Sequence, residues 1–261
     1  MSTTYIFRDA ETDNDVMLRA LAGMYDPFSE RRLREAGIAE DARCLVVAVG
    51  ASGIARTIAG LAPRGEVIAT DVDLRPCQRD PRVDLREHDV VTDPLPGMFD
   101  LIHVRLLLGH LPQRLDVLGK LVDALNPDGV LVVEEFEATW RTSVLAAPDP
   151  DEADRLFGAY HDAFQAALQD AGNRSKWSRR VHGAMLDLGL TECDTVGYTG
   201  TWAGGSHGCL LPWGTAGAIR QKLIDAGMSA ADLDAFRQLL LVPELRVKGN
   251  LALSTVGRRR R

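Results

Sequence analysis

The sequence predicts a doubly wound α/β fold. Three observations carry that expectation: from Arg43 onward short apolar runs alternate with helical patterns, the runs are apolar on both faces, and a glycine-containing turn joins the first run to its helix. Before them, residues from Asp9 to Ala36 (DAETDNDVMLRALAGMYDPFSERRLREA) carry apolar positions at helical spacing. Gly23 and Pro27 are the expected break, so the prefix, residues 1–40, reads as two helices. CLVVAV then reads as a strand, SGIARTIAGLA as a helix and GEVIAT as a strand, followed by the period-two run RVDLREHD and by FDLIHV. In the helix LPQRLDVLGKLVDALN, Pro112 suits the first turn and Leu115, Leu118, Val122 and Leu125 recur on one face. Pro127 and Gly129 of NPDG stop it before the strand GVLVVEEF.

Beyond Glu137 a helical stretch, DEADRLFGAYHDAFQAALQDAG, interrupts the alternation with Leu156, Phe157, Tyr160, Phe164 and Leu168 on its apolar side. The core resumes with a helix ending at Gly189, the strand TECDTVGYTG, an irregular and helical stretch from Trp202 to Val242, and a last strand, LALSTVG. Two helical insertions therefore punctuate the C-terminal half of one domain, 1–261. The core is expected over 41–137, and the rest of the core with its substrate-side insertions over 138–261.

Composition excludes several classes of function. Hydrophobic residues make up 46% and charged residues 26% of the 261, which sets disordered and fibrous readings aside. A net charge of −7 gives no positive field for nucleic acid or an anionic membrane, so the expected partner is a small molecule, with a homodimer left open. The basic run Arg258 to Arg261 reads as a solvated tail. Cys44, Cys77, Cys193 and Cys209 form no C-x-x-C pair and read as reduced, mostly packed thiols. The opening MSTTYIFRDAETDND lacks the order of a signal peptide, and no apolar stretch nears the roughly 18 residues of a membrane span, so a cytoplasmic location is expected.

The segment CLVVAVGASGIARTIAG carries the first chemical signal. A strand, a turn with Gly50, Ala51, Ser52 and Gly53, and a helix place backbone N–H groups against a nucleotide-like ligand, and glycine lets the backbone approach closely. About twenty residues on, VIATDVDLRP ends the second strand in an acid able to accept both hydroxyls of a ribose. Asp71 and Asp73 compete for that role. Then come REHDVVTDPLP and FDLIHVRLLLGHLP after the third and fourth strands.

With these four ordered motifs the chain resembles the class I S-adenosylmethionine-dependent methyltransferases, in particular small-molecule enzymes of the form HDVVTDPLP…FDLVHARLLLEHLP…GGWLVVEEF. The resemblance covers roughly Tyr5 to Glu137 and the ending STVGRR. It implies a Rossmann-like, mostly parallel sheet of seven strands and S-adenosyl-L-methionine as cofactor. It further implies that the Gly50 to Gly53 turn passes the methionine part, that Asp71 or Asp73 holds the ribose, and that Asp89 with Val90 meets the adenine. His103, Val104 and Arg105 would lie under the cofactor, and Tyr5 would close over its carboxylate end. One departure stands out: relatives carry an acid two residues before the first glycine and a longer turn, whereas this chain has Ala48 and VGASGI.

Methyl transfer is an in-line displacement from a sulfonium, so positioning carries much of it, and a base is needed only where the acceptor loses a proton. The candidate bases are His161, His207 and Glu135, with Glu134 and His110 beside them; Tyr160, His110 and Trp213 are candidate substrate contacts. The chain has no H-E-x-x-H, no clustered Cys/His spacing and no G-x-S-x-G elbow, so no metal is expected. The sequence reads as an enzyme that methylates O, N or C of a small aromatic or polycyclic metabolite. The alternative is an enzyme of the same fold that catalyses cyclisation or rearrangement without methyl transfer. A non-catalytic binding protein is a third reading, and an NAD enzyme would need the G-x-G-x-x-G that VGASGIA does not supply.

Overall fold

The computed structural model describes residues 11–172 and 176–260. In chain order the elements are α1 (Glu11–Ala36), β1 (Arg43–Val47), α2 (Ile54–Leu61), β2 (Glu66–Asp71), β3 (Val83–Glu87) and β4 (Phe99–Arg105). Next come α3 (Arg114–Asp123), β5 (Leu125–Phe136), β6 (Ser143–Ala146), α4 (Pro150–Asp170), α5 (Val181–Asp187) and β7 (Thr191–Tyr198). The last are β8 (Thr201–Ala203), α6 (His207–Ala218), α7 (Arg220–Asp225), α8 (Ala230–Leu239), β9 (Arg246–Lys248) and β10 (Ala252–Arg258). The chain divides into two compact units. One comprises Met1–Met24, Glu137–Lys176 and Tyr198–Leu251; the other comprises Tyr25–Phe136, Trp177–Gly197 and Ala252–Arg261.

The second unit holds the seven-stranded sheet, in the order β3-β2-β1-β4-β5-β10-β7. Strands β1 to β5 pair in parallel and β10 runs antiparallel to β5, as expected of a Rossmann-like, mostly parallel sheet. Alternate residues of one strand enter opposite cores. Leu45 and Val47 of β1 join Ile68, Ile102, Val104, Leu118 and Leu121 on one face, while Cys44 and Val46 join Val67, Leu101, Ile54, Ile58 and Leu33 on the other. Each face excludes water, which is why the strands read as continuous apolar runs. The strand order reverses between β1 and β4, and in open α/β sheets that switch point opens a crevice at the carboxyl ends of the strands.

The expected break at Gly23 and Pro27 is absent: α1 is a single 26-residue helix with Pro27 inside it. A buried stripe explains its persistence. Met17, Ala20 and Met24 continue as Tyr25, Phe28, Ser29, Arg32, Leu33 and Ala36, while Gly23 and Pro27 lie on the exposed side. The proline costs the bond to the carbonyl of Gly23, which water can reach there.

The first unit was expected to be helical. Besides α4, α6, α7 and α8 it holds a three-stranded antiparallel sheet, β6-β9-β8, whose three- and four-residue strands are too short to show a period. Trp202 of β8 fits against three glycines: a Cβ would stand 2.0 Å from its ring at Gly208, 2.8 Å at Gly249 and 3.3 Å at Gly200.

Two further expectations change. The NPDG segment lies within β5 rather than before it; its left-handed residue is Asp128 (φ 65°), and Gly129 is required by space instead, since a Cβ there would lie 2.8 Å from the carbonyl oxygen of Asn126. Arg258 and Arg259 of the basic ending are tied to the sheet unit rather than loose. Arg258 closes β10 and donates to the carbonyl of Ala36, and Arg259 donates to the carbonyls of Asp123 and Leu125 at 2.7 Å each. The four cysteines are free, with Cys44 and Cys209 buried.

Candidate functional site

The turn after β1 and the end of β2 meet directly. Asp71 is the last residue of β2, and its Oδ2 accepts the Gly50 N–H at 2.9 Å while Oδ1 accepts the Asp73 N–H at 3.1 Å. Burial raises the Asp71 pKa, partly offset by the N–H groups of Gly50, Asp73 and Val72. Asp73 turns outward onto the guanidinium of exposed Arg75 at 2.7 Å. The two acids are thus placed differently, with only Asp71 tied to the glycine turn. Gly50 has φ 52°, and the Cβ it lacks would meet nothing within 4 Å. Ala51 and Ser52 complete the turn half-buried, and Gly53 caps α2.

A carboxylate absent from the sequence expectations faces this turn. Asp26 of α1 accepts the Gly53 N–H at 2.7 Å and the Ser52 hydroxyl at 3.3 Å, and pairs with Arg105 Nη2 at 2.7 Å. Arg105 Nη1 donates to Ser29 Oγ at 3.0 Å; Ser29 Oγ donates to Glu134 Oε2, which also lies 3.2 Å from His103 Nε2. Ser29, His103 and Glu134 are buried. Burial alone would raise the Glu134 pKa, but the hydrogen bond and charge of His103, together with Arg105 and Ser29, hold it below the usual carboxylate range. The sequence signal for this network is Ser29, a polar residue inside the apolar stripe of α1.

Glu135, the next residue, is also buried, rather than facing solvent beyond the strand. Its Oε1 accepts the Gly109 N–H at 3.1 Å, and burial raises its pKa to about 7. His110 sits in the turn that supplies this N–H, and burial with the charge of Arg114 lowers its pKa to about 4. Asp89 opens a tight turn in which its Oδ1 accepts the Val91 N–H at 2.9 Å. Val90 and Val104 are buried in the core, so their side chains pack inward.

The remaining candidates belong to the first unit. Tyr160 of α4 stacks on Phe236 (centroids 4.4 Å apart) and Phe164 (5.7 Å), and burial raises its pKa. His161, next on α4, has its pKa lowered by burial and by Arg141. His207 begins α6 and is exposed, with its ring against Gly23. Trp213 lies within α6, not on a glycine-flanked loop, and Arg237 covers its ring at 4.0 Å while pairing with Asp13 at 3.0 Å. Tyr5 lies outside the described residues. Among the described residues no group of three or more His, Cys, Asp or Glu could hold a metal, and no helix is long and apolar enough to cross a membrane.

Comparison with known proteins shows the family of the chain. Methyltransferase str2 of Strobilurus tenacellus is 28% identical over 113 residues, and methyltransferase str3 of the same fungus is 26% identical over 113 residues. Each match spans 42% of this chain and 41% of the relative's length. Among solved structures, phosphoethanolamine N-methyltransferase 2 of Haemonchus contortus, in complex with S-adenosyl-L-methionine, aligns with a TM-score of 0.59 at 13% identity, covering 100% of this chain and 60% of that one. The plantazolicin methyltransferase BpumL, in complex with SAH, aligns with a TM-score of 0.52 at 12% identity, covering 99% and 95%. At those identities the likeness is one of fold. A model of the methyltransferase domain matches residues 24–185, more than half of the chain and including the glycine turn, Asp71 and the Glu134 network, and the chain belongs to that family.

Proposed function

We propose that the protein transfers the methyl group of S-adenosyl-L-methionine to a small molecule. The observation that carries this reading is the contact between Asp71 and the Gly50 N–H, which puts a half-buried carboxylate and an open glycine turn together at the switch point of the sheet. The residues fit the cofactor. Asp71 would take the ribose hydroxyls, exposed Val72 beside it offers apolar surface, and the Gly50 to Ser52 backbone leaves room for close approach. Bound there, the cofactor supplies an electrophilic methyl on a sulfonium. This chain's residues bind and orient the reactants, with Glu135 as the proton-handling candidate in the unit that carries the turn.

Titration calorimetry on Asp71→Ala and Asp89→Ala tests the site. Each variant should lose roughly 1–3 kcal/mol of S-adenosylmethionine binding, the cost of a polar partner left unmatched. Unchanged binding in both would contradict it, and a loss in Asp73→Ala alone would move the ribose to Asp73.

One observation favours the second reading, rearrangement or cyclisation without methyl transfer. Asp26 already holds the Gly53 N–H and the Ser52 hydroxyl, donors that a cofactor at the turn would otherwise meet. If S-adenosylmethionine binds Asp26→Asn more than tenfold tighter than the parent, Asp26 closes the turn and the second reading gains.

A further inference from the structure

The loop from β3 to β4 contains a single helical turn, Asp89 to Asp93. The Thr92 N–H donates to the carbonyl of Asp89 at 3.2 Å, and the Asp93 N–H donates to the same carbonyl at 2.8 Å. One such turn fixes about six backbone dihedrals for very few hydrogen bonds, so it persists only where its ends are held. Its own acids hold the first end: Asp89 Oδ1 accepts the Val91 N–H at 2.9 Å, and Asp93 Oδ2 accepts the Asp89 N–H at 3.0 Å. That N–H, the Thr92 hydroxyl and the charges of His88 and Lys120 keep the Asp93 pKa below the usual carboxylate range. The other end is held from a different element. Lys120 of α3 is half-buried, and its Nζ donates to the carbonyl of Val90 at 2.9 Å and to the carbonyl of Asp93. An ammonium carries three donors and no acceptor, which suits it to bridge two carbonyls that the turn itself does not use. The turn also starts beside Asp71, whose carbonyl accepts the His88 N–H at 2.9 Å while its carboxylate accepts the Gly50 N–H. Lys120 thus fixes where Asp89 stands relative to Asp71.

We propose that Lys120 is a positioning residue for the cofactor's purine: by tying the carbonyls of Val90 and Asp93 it sets the Asp89 carboxylate to accept from the exocyclic amine. This rests on the methyl-transfer reading, in which Asp71 takes the ribose and Asp89 meets the adenine. The Val90 side chain packs into the core, so the turn is pinned by an apolar contact on one side and by the ammonium on the other. With Asp89 Oδ1 taken by the Val91 N–H, Oδ2 is the oxygen left for a ligand's donor. Lys120 touches neither ribose nor purine in this account; without it the turn frays, and the carboxylate no longer stands where the amine arrives.

The probes are S-adenosylhomocysteine and its analogue with hydrogen in place of the exocyclic amine, titrated into the full chain, Lys120→Met and Lys120→Arg. The parent should prefer the amine-bearing probe by about tenfold or more, since a carboxylate set for a donor is left unmatched by the analogue. Lys120→Met should cut that preference to about threefold or less, whereas Lys120→Arg, still a cation with several donors, should keep it. A general loss of stability would weaken both probes alike and leave their ratio unchanged. Amide exchange at Thr92 and Asp93, whose N–H groups close the turn, should be about tenfold or more faster in Lys120→Met than in the parent. Should Lys120→Met not fold, Lys120→Gln, which keeps donors for one carbonyl, takes its place with the same expectation. A full preference in the neutral variant, a preference lost equally in Lys120→Arg, or unaltered exchange would each overturn the proposal. The parent's own binding separates the two levels. If the parent binds neither probe, the methyl-transfer reading fails, and faster exchange in Lys120→Met leaves the tie to the turn standing without it; if the parent shows the preference and the neutral variant keeps it, the reading stands and Lys120 has no part in it.

Discussion

The imidazole of His207 lies on the bare backbone of Gly23: a Cβ built on that glycine would stand 2.4 Å from His207 Cδ2 and 2.5 Å from Nε2. Gly23 is on the exposed side of α1, where alanine would ordinarily gain about 0.5–1 kcal/mol by helix propensity. Here the new methyl group must push the ring aside. Gly23→Ala is therefore expected to gain nothing or to lose up to about 1 kcal/mol in the parent, and to gain about 0.5–1 kcal/mol in a His207→Ala background. Urea unfolding of the four proteins measures the coupling, and an equal gain in both backgrounds would show that His207 does not rest on Gly23.

Ala48, where the sequence resemblance implies an acid, has φ 55°. An L-residue in that left-handed region is strained by roughly 1–2 kcal/mol, which glycine avoids. Ala48→Gly should raise Tm by about 2–4 °C, and Ala48→Glu should bring no stability gain because it keeps the same backbone strain. A lower Tm for Ala48→Gly, read by thermal melting, would contradict the strained conformation.

Glu135 and His110 set opposing pH dependences. The Glu135 pKa is raised from 4.5 to about 7 in the folded chain, so its contribution to stability declines as pH rises through that range. The His110 pKa is lowered from 6.5 to about 4, so its contribution is lost as pH falls from 6.5 toward 4. Each slope is about 1.4 kcal/mol per pH unit, and between pH 4.5 and 6.5 the two cancel. Glu135→Gln should unmask the His110 slope, its stability rising with pH across that window relative to the parent. Parallel profiles for parent and variant, from urea unfolding at pH 4.5, 5.5 and 6.5, would show that Glu135 does not titrate as described.

The sheet was legible because both its faces are buried: Cys44 to Val47 read as one apolar run since alternate residues fill different cores. The glycine turn was legible because a tight strand-to-helix turn favours glycine, whereas the sequence left Asp71 and Asp73 as alternatives and only the structure ties Asp71 to the Gly50 N–H. What escaped the sequence depends on long-range contact. Pro27 marks a break only if the helix lacks a continuous buried stripe, and β6, β8 and β9 exist only through pairing with one another. Asp26 and Ser29 escaped for the same reason. They are polar residues on a helix, 27 and 105 positions in sequence from Gly53 and Glu134, and only the fold brings them together.

Titration calorimetry of the purified full chain with S-adenosylmethionine, and then with its demethylated product, tests the central claim most directly. Saturable one-site binding of both is predicted, in the micromolar range of about −8 kcal/mol, with about 1–3 kcal/mol of it lost in Asp71→Ala. A folded chain that takes up neither ligand at millimolar concentration would contradict the claim that this site serves methyl transfer.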